Sequence, residues 1–294
     1  MKVPIPTSAK GFIEQWLPLS LLKFLTDQTN SYAEWSASFQ PDLFGQKWVT
    51  LSVTEMAQYL GLRILMGINK LPHERMHWAR NKFYGNSVFH LIMSFERFKL
   101  IIKYCHAKDK DDVPKGYNSS SDHDRMLLVK PLIDFIRQRA NALYTPEMNL
   151  SLDEAMMPWK GKLNIKVFNP LKPVKYGVKI YMICEATTGY LLDLLVYDGK
   201  SRTLRDIIFF LSERFHNQGY RLFMDNFYNN VKITEELYDN KTHTVGTLRM
   251  NRGAPQVLKE FAKNKQPRNS LMYRKKRIRI HLLYVGKTQE WYNL

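Results

Sequence analysis

From Asn149 onward, short apolar runs of strand length alternate with helix-spaced ones, and their order constrains the fold more than any other feature. Residues 150–159 form a first run. Residues 176–184 form a second, in which Val178, Ile180, Met182 and Cys184 alternate with Lys179, Tyr181 and Ile183. The turn residues Thr187, Thr188 and Gly189 separate it from a third run at 190–197, which is a hairpin pattern. Residues 204–215 have helical spacing, 221–224 read as a fourth strand, 231–238 as a second helix and 242–248 as a fifth strand. The order βββαβαβ predicts an α/β unit with a mixed five-stranded sheet.

Two of these runs end in aspartate. Asp153 follows Leu150-Ser151-Leu152, and Asp225 follows Leu222-Phe223-Met224. A carboxylate in a strand is costly to desolvate, so each needs either a backbone N–H partner or a cation. If the first and fourth strands are neighbours, both carboxylates reach the same end of the sheet. A pair of this kind suits the divalent cations of phosphoryl transfer, Mg2+ or Mn2+. Glu154 points to the opposite face from Asp153 and is a poorer ligand. A third acid is usual after the fifth strand, yet no Asp or Glu occurs between Glu260 and Glu290.

Charge indicates the partner. Lys and Arg total 44 against 27 Asp and Glu, a formal net charge of +17, which favours a polyanion such as double-stranded DNA. Lys172, Lys175 and Lys179 lie around the first two strands with Trp159, Tyr176 and Tyr181 interleaved. Arg274-Lys275-Lys276-Arg277 forms a denser cluster. Cations neutralise phosphates and aromatic rings stack on bases. The ordinary alternative for both segments is a solvated basic face or a localisation signal. Gly199-Lys200-Ser201 resembles a phosphate-binding loop, but Leu194 stands where the first glycine belongs, so it reads as a turn before a helix.

The two cysteines, Cys105 and Cys184, form no Cys-x-x-Cys pair, which weakens zinc-finger and redox readings and fits a reducing compartment. The apolar run at 16–22 is short and proline-broken, and no stretch reaches membrane-spanning length. Residues up to about 145 read as helical, with amphipathic runs at 54–68, 89–105 and 126–143 and a polar loop at 109–124. The expected organisation is a helical region at 1–145, the α/β core at 146–250 and a basic segment at 251–294.

The βββαβαβ order is that of the ribonuclease H-like fold, in which strands one and four are adjacent. Four motifs resemble the piggyBac transposase family in the order expected: residues 151–156 (Ser-Leu-Asp-Glu-Ala-Met), 172–179 (Lys-Pro-Val-Lys-Tyr-Gly-Val-Lys), 225–228 (Asp-Asn-Phe-Tyr) and 246–252 (Gly-Thr-Leu-Arg-Met-Asn-Arg). The helical part agrees, with Gly67-Ile68 and Trp78, then 93–98 (Met-Ser-Phe-Glu-Arg-Phe) leading to Cys105-His106. The resemblance implies a cut-and-paste DNA transposase working in the nucleus, with three aspartates, a divalent metal and a second copy of itself, as a homodimer, as a candidate partner. It makes Asp153 the first aspartate and Asp225 the second. Gly286-Lys287 stands where Asp-Lys would carry the third, and no nearby Asp replaces it. The family's cysteine-rich zinc module has no counterpart in Cys105 and Cys184. These departures lead to the expectation of impaired strand cleavage, with a catalytically inactive DNA-binding protein as the alternative.

Overall fold

The structure is a computed structural model describing residues 6–37, 48–81, 84–109, 111–114, 125–170, 172–263, 272–274 and 283–285. The chain divides into two compact units, residues 1–145 with 163–165, and 146–162 with 166–294.

The first unit is helical: α1 (Ala9–Trp16), α2 (Leu19–Ala37), α3 (Val53–Ile68), α4 (Ser87–Ile92), α5 (Phe95–Tyr104) and α6 (Lys130–Leu143). Leu21, Leu25, Met56, Tyr59, Leu62, Trp78, Phe89, Phe98 and Ile101 form its core. The expected helix at 89–105 is two. The carbonyl of Met93 accepts the buried Trp78 Nε1–H at 2.8 Å, and the Ser94 hydroxyl caps α5 through the Arg97 N–H at 3.1 Å. Here a side-chain cap and an indole partner outweigh the apolar periodicity. Likewise α3 begins one residue before Thr54, capped by Ser52, and α6 begins at Lys130, four residues later than its spacing suggests. Most of the loop at 109–124 lies outside the described residues.

The second unit carries a six-stranded sheet, one strand more than expected. Its elements are β1 (Asn149–Pro158), β2 (Lys166–Phe168), β3 (Tyr176–Glu185), β4 (Leu191–Val196), α7 (Leu204–Ser212), β5 (Arg221–Met224), α8 (Val231–Asp239) and β6 (His243–Val245). The extra strand is β2, three residues with only one half-buried side chain, too short for periodicity to register. It pairs with the start of β3, where the Phe168 and Tyr176 rings lie 4.7 Å apart. Strand β1 pairs antiparallel with β3 along one edge and parallel with β5 along the other. Strand β6 extends the sheet in parallel beyond β5, while β2 and β4 share the outer edge of β3. Helix α7 packs on β3 and β4, and α8 on β6. Beyond β6 follow α9 (Gln256–Lys263) and a small antiparallel pair, β7 (Met272–Arg274) with β8 (Leu283–Val285), in a segment that reads as turn-rich in sequence.

Alternation sorts the central strands. Leu150, Leu152, Leu222 and Met224 are buried on one face. Ser151, Asp153, Phe223 and Asp225 take the other, more open face.

Candidate active site

The parallel register of β1 and β5 sets Leu152 opposite Met224. Asp153 and Asp225 are the next residues on two strands whose axes lie about 4.8 Å apart. Both line one depression of about 210 Å³, with Ser151, Phe223, Val245 and Gly246. The glycine is required there: a Cβ on Gly246 would lie 2.0 Å from the Met224 carbonyl oxygen.

Each carboxylate is held differently. Asp225 closes a turn, its Oδ1 accepting the Phe227 N–H at 2.8 Å and the Tyr228 N–H at 3.4 Å. Beside it the Asn226 Oδ1 accepts the Arg249 Nε–H at 2.9 Å. Asn229 is buried and donates to the carbonyls of Gly246 and Thr247, tying the chain after β6 to the Asp225 turn. The Asp153 side chain is 62% exposed, and the Lys172 ammonium lies 3.9 Å from its Oδ2. Partial burial, with the neighbouring Glu154 charge, pushes the Asp153 carboxyl above the usual range, against the pull of a backbone N–H and Lys172.

Glu154 is turned to the covered face with Leu150 and Leu152, as alternation requires. Its side chain is 14% exposed. The Tyr228 hydroxyl donates to its Oε2 at 2.6 Å, and the Lys172 ammonium lies 3.4 Å from its Oε1. Burial raises its pKa, but Tyr228, Lys172 and Lys179 outweigh that and hold it below the ordinary carboxylate value. Burial and the bond to Glu154 push the Tyr228 phenol far up.

Of the basic residues singled out from sequence, Lys172 lies at the carboxylates. The Lys179 ammonium sits over the Tyr181 and Phe227 rings, at 4.6 and 5.2 Å. Lys175 is exposed on the approach to β3. Arg274 ends β7, while Lys275, Lys276, Arg277 and Gly286 lie outside the described residues. Gly199-Lys200-Ser201 is a turn, with Gly199 at φ +83°, ahead of the capped N-terminus of α7. The motifs at 225–228 and 246–252 contain Tyr228 and Arg249, but sequence reasoning gave neither of them, nor Asn229, a part in the site. The available signal was Glu154 itself, an acid in phase with two core leucines.

The site suits a hard cation in one respect. The pair offers two carboxylates on one wall, and Mg2+ is commonly held by one or two carboxylates with water and substrate phosphate completing its shell. Among the described residues, no three His, Cys, Asp or Glu side chains are grouped so as to hold a metal.

A family profile described as "Transposase IS4" matches residues 8–291. Human piggyBac transposable element-derived protein 3 is 26% identical over 212 residues, 68% of this chain and 34% of that protein. Human piggyBac transposable element-derived protein 2 is 29% identical over 261 residues, 82% of this chain and 40% of that protein. The chain belongs to the piggyBac transposase family. A piggyBac transposase solved by cryo-electron microscopy as a synaptic complex with hairpin DNA has the same fold, with a TM-score of 0.72 at 22% identity. That match covers 88% of this chain and 54% of the transposase. The chain thus spans well under half the length of these two human piggyBac-derived relatives.

Proposed function

We propose that the second unit is a ribonuclease H-like core that acts on DNA phosphodiesters, with Asp153 and Asp225 as ligands of a divalent cation. The observation that carries this reading is the parallel pairing of β1 with β5, which brings both aspartates to one depression. Mg2+ or Mn2+ bound there would polarise the scissile phosphate and lower the pKa of an attacking water or 3′-hydroxyl. The chain's own contribution is orientation. The Phe227 and Tyr228 N–H groups fix the Asp225 carboxylate, and Lys172 supplies a cation beside Asp153 for the approaching phosphate. The excess positive charge supports double-stranded DNA as partner, and a nuclear site of action goes with that substrate.

Cleavage is impaired in this reading, because two carboxylates bring about one negative charge and one ligand fewer than a three-acid site. The test is strand nicking on transposon-end DNA. The expected result is slow nicking with Mn2+ that Asp153→Asn or Asp225→Asn removes. Fast cleavage with Mg2+ would overturn the impairment. Nicking that ignores both substitutions would overturn the site.

Gly286-Lys287, standing where the family's Asp-Lys would be, favours a second reading, a DNA-binding protein without chemistry. Its sign is metal-independent DNA affinity, undiminished in the double Asp153→Asn, Asp225→Asn variant and accompanied by no nicking.

A further inference from the structure

Glu154 poses a problem that cation binding at the two aspartates does not solve. It is a carboxylate on the covered face of the sheet, where an ionised acid is tolerated only with close partners. Both partners lead back to the aspartates. Tyr228 is fully buried, and its own N–H belongs to the turn that Asp225 closes. Lys172 lies between the Glu154 and Asp153 carboxylates and also donates to the Glu154 carbonyl at 3.3 Å. A bonded path therefore runs from Asp225 through its turn to Tyr228, across to Glu154, and one residue along β1 to Asp153. Lys172 braces the end of that path.

We propose that Glu154 is a positioning residue that holds no metal itself. With Tyr228 and Lys172 it fixes Asp153 and Asp225 relative to each other, so that cation affinity at the aspartates depends on the Tyr228–Glu154 hydrogen bond behind them. This rests on the reading that the two aspartates bind a divalent cation. The physical reason is preorganisation: two carboxylates held together before the cation arrives lose less freedom on binding it, and partners behind metal ligands are commonly worth 10–100-fold in affinity.

Calorimetric titration of the full chain with Mn2+, alongside thermal melting, tests the proposal. Tyr228→Phe removes one hydroxyl and keeps the ring. It should weaken Mn2+ binding about tenfold. Tyr220→Phe is the control, since it removes a hydroxyl that donates at 3.5 Å to the Pro146 carbonyl, away from the aspartates. It should leave Mn2+ affinity unchanged even where it lowers the melting temperature equally. Glu154→Gln keeps an acceptor for Tyr228 and should stay within about threefold of the parent, while Glu154→Ala should lose about tenfold. That comparison stands if Tyr228→Phe does not fold. Mn2+ affinity that requires both aspartates but ignores Tyr228→Phe and Glu154→Ala overturns the positioning role alone. Mn2+ binding that survives Asp153→Asn and Asp225→Asn overturns the metal site, and the positioning role with it.

Discussion

Gly246 and Asp198 illustrate how single residues set this core. The close approach of Gly246 to the Met224 carbonyl leaves no room for a methyl group, so Gly246→Ala must push the chain after β6 away from β5. Overpacking of this kind costs about 1–3 kcal/mol, and chemical denaturation should show a loss in that range. Asp198 is a buried carboxylate whose Oδ1 and Oδ2 accept the Arg202 guanidinium at 3.0 and 2.8 Å. Burial pushes its pKa up, but the Lys200 N–H and Arg202 outweigh that and hold it below the ordinary value. A carboxyl lowered on folding stabilises the chain fully above its unfolded pKa, about 3.9, and that contribution fades as pH falls through the folded pKa. Asp198→Asn should therefore cost about 2 kcal/mol at neutral pH and progressively less in acid, read from stability measured across pH. The sequence marks Gly246 as the start of a family motif but not as the glycine that spares a carbonyl, and the Asp198–Arg202 pair depends on the turn between β4 and α7.

At the scale of elements, what was legible followed from period and what was lost followed from caps and short pairings. The β3 run declares itself by alternation and the β1 and β5 runs as short apolar stretches, and β5 has the bounds read from sequence. The neighbouring positions of Asp153 and Asp225 then needed only the strand order. Strand β2 was invisible because its three residues gain their order from β3 rather than from their own pattern. Residues up to about 145 read as helical, but Pro18 breaks the apolar run at 16–22, so the bounds of α1 and α2 do not show in sequence. The break between α4 and α5 hinges on Ser94. Ser94→Ala removes the cap on the Arg97 N–H and should destabilise the first unit by about 1 kcal/mol, measurable as a lowered melting temperature. The Arg97–Glu55 ion pair, with Nε–Oε1 at 2.6 Å and Nη2–Oε2 at 2.8 Å, joins α5 to α3 and is equally beyond reach of periodicity.

For the whole molecule the governing quantity is charge. A chain at +17 that neutralises six to ten DNA phosphates should lose roughly 10³–10⁵ in affinity between 50 and 200 mM salt. The same slope is expected for Asp153→Asn, because a carboxylate makes no counterion-releasing contact with a phosphate. Fluorescence anisotropy over a salt series measures both. The parallel pairing of β1 with β5 has one more consequence. The two aspartates come from strands separated in the chain by β2, the β3–β4 hairpin and α7. No local fragment can assemble that pair, so a cation that recognises it recognises only the folded chain. Its binding is then linked to folding itself: at a concentration a hundred times the dissociation constant it adds about 2.7 kcal/mol to stability. The melting temperature becomes a titration of the site, readable without any strand being cut.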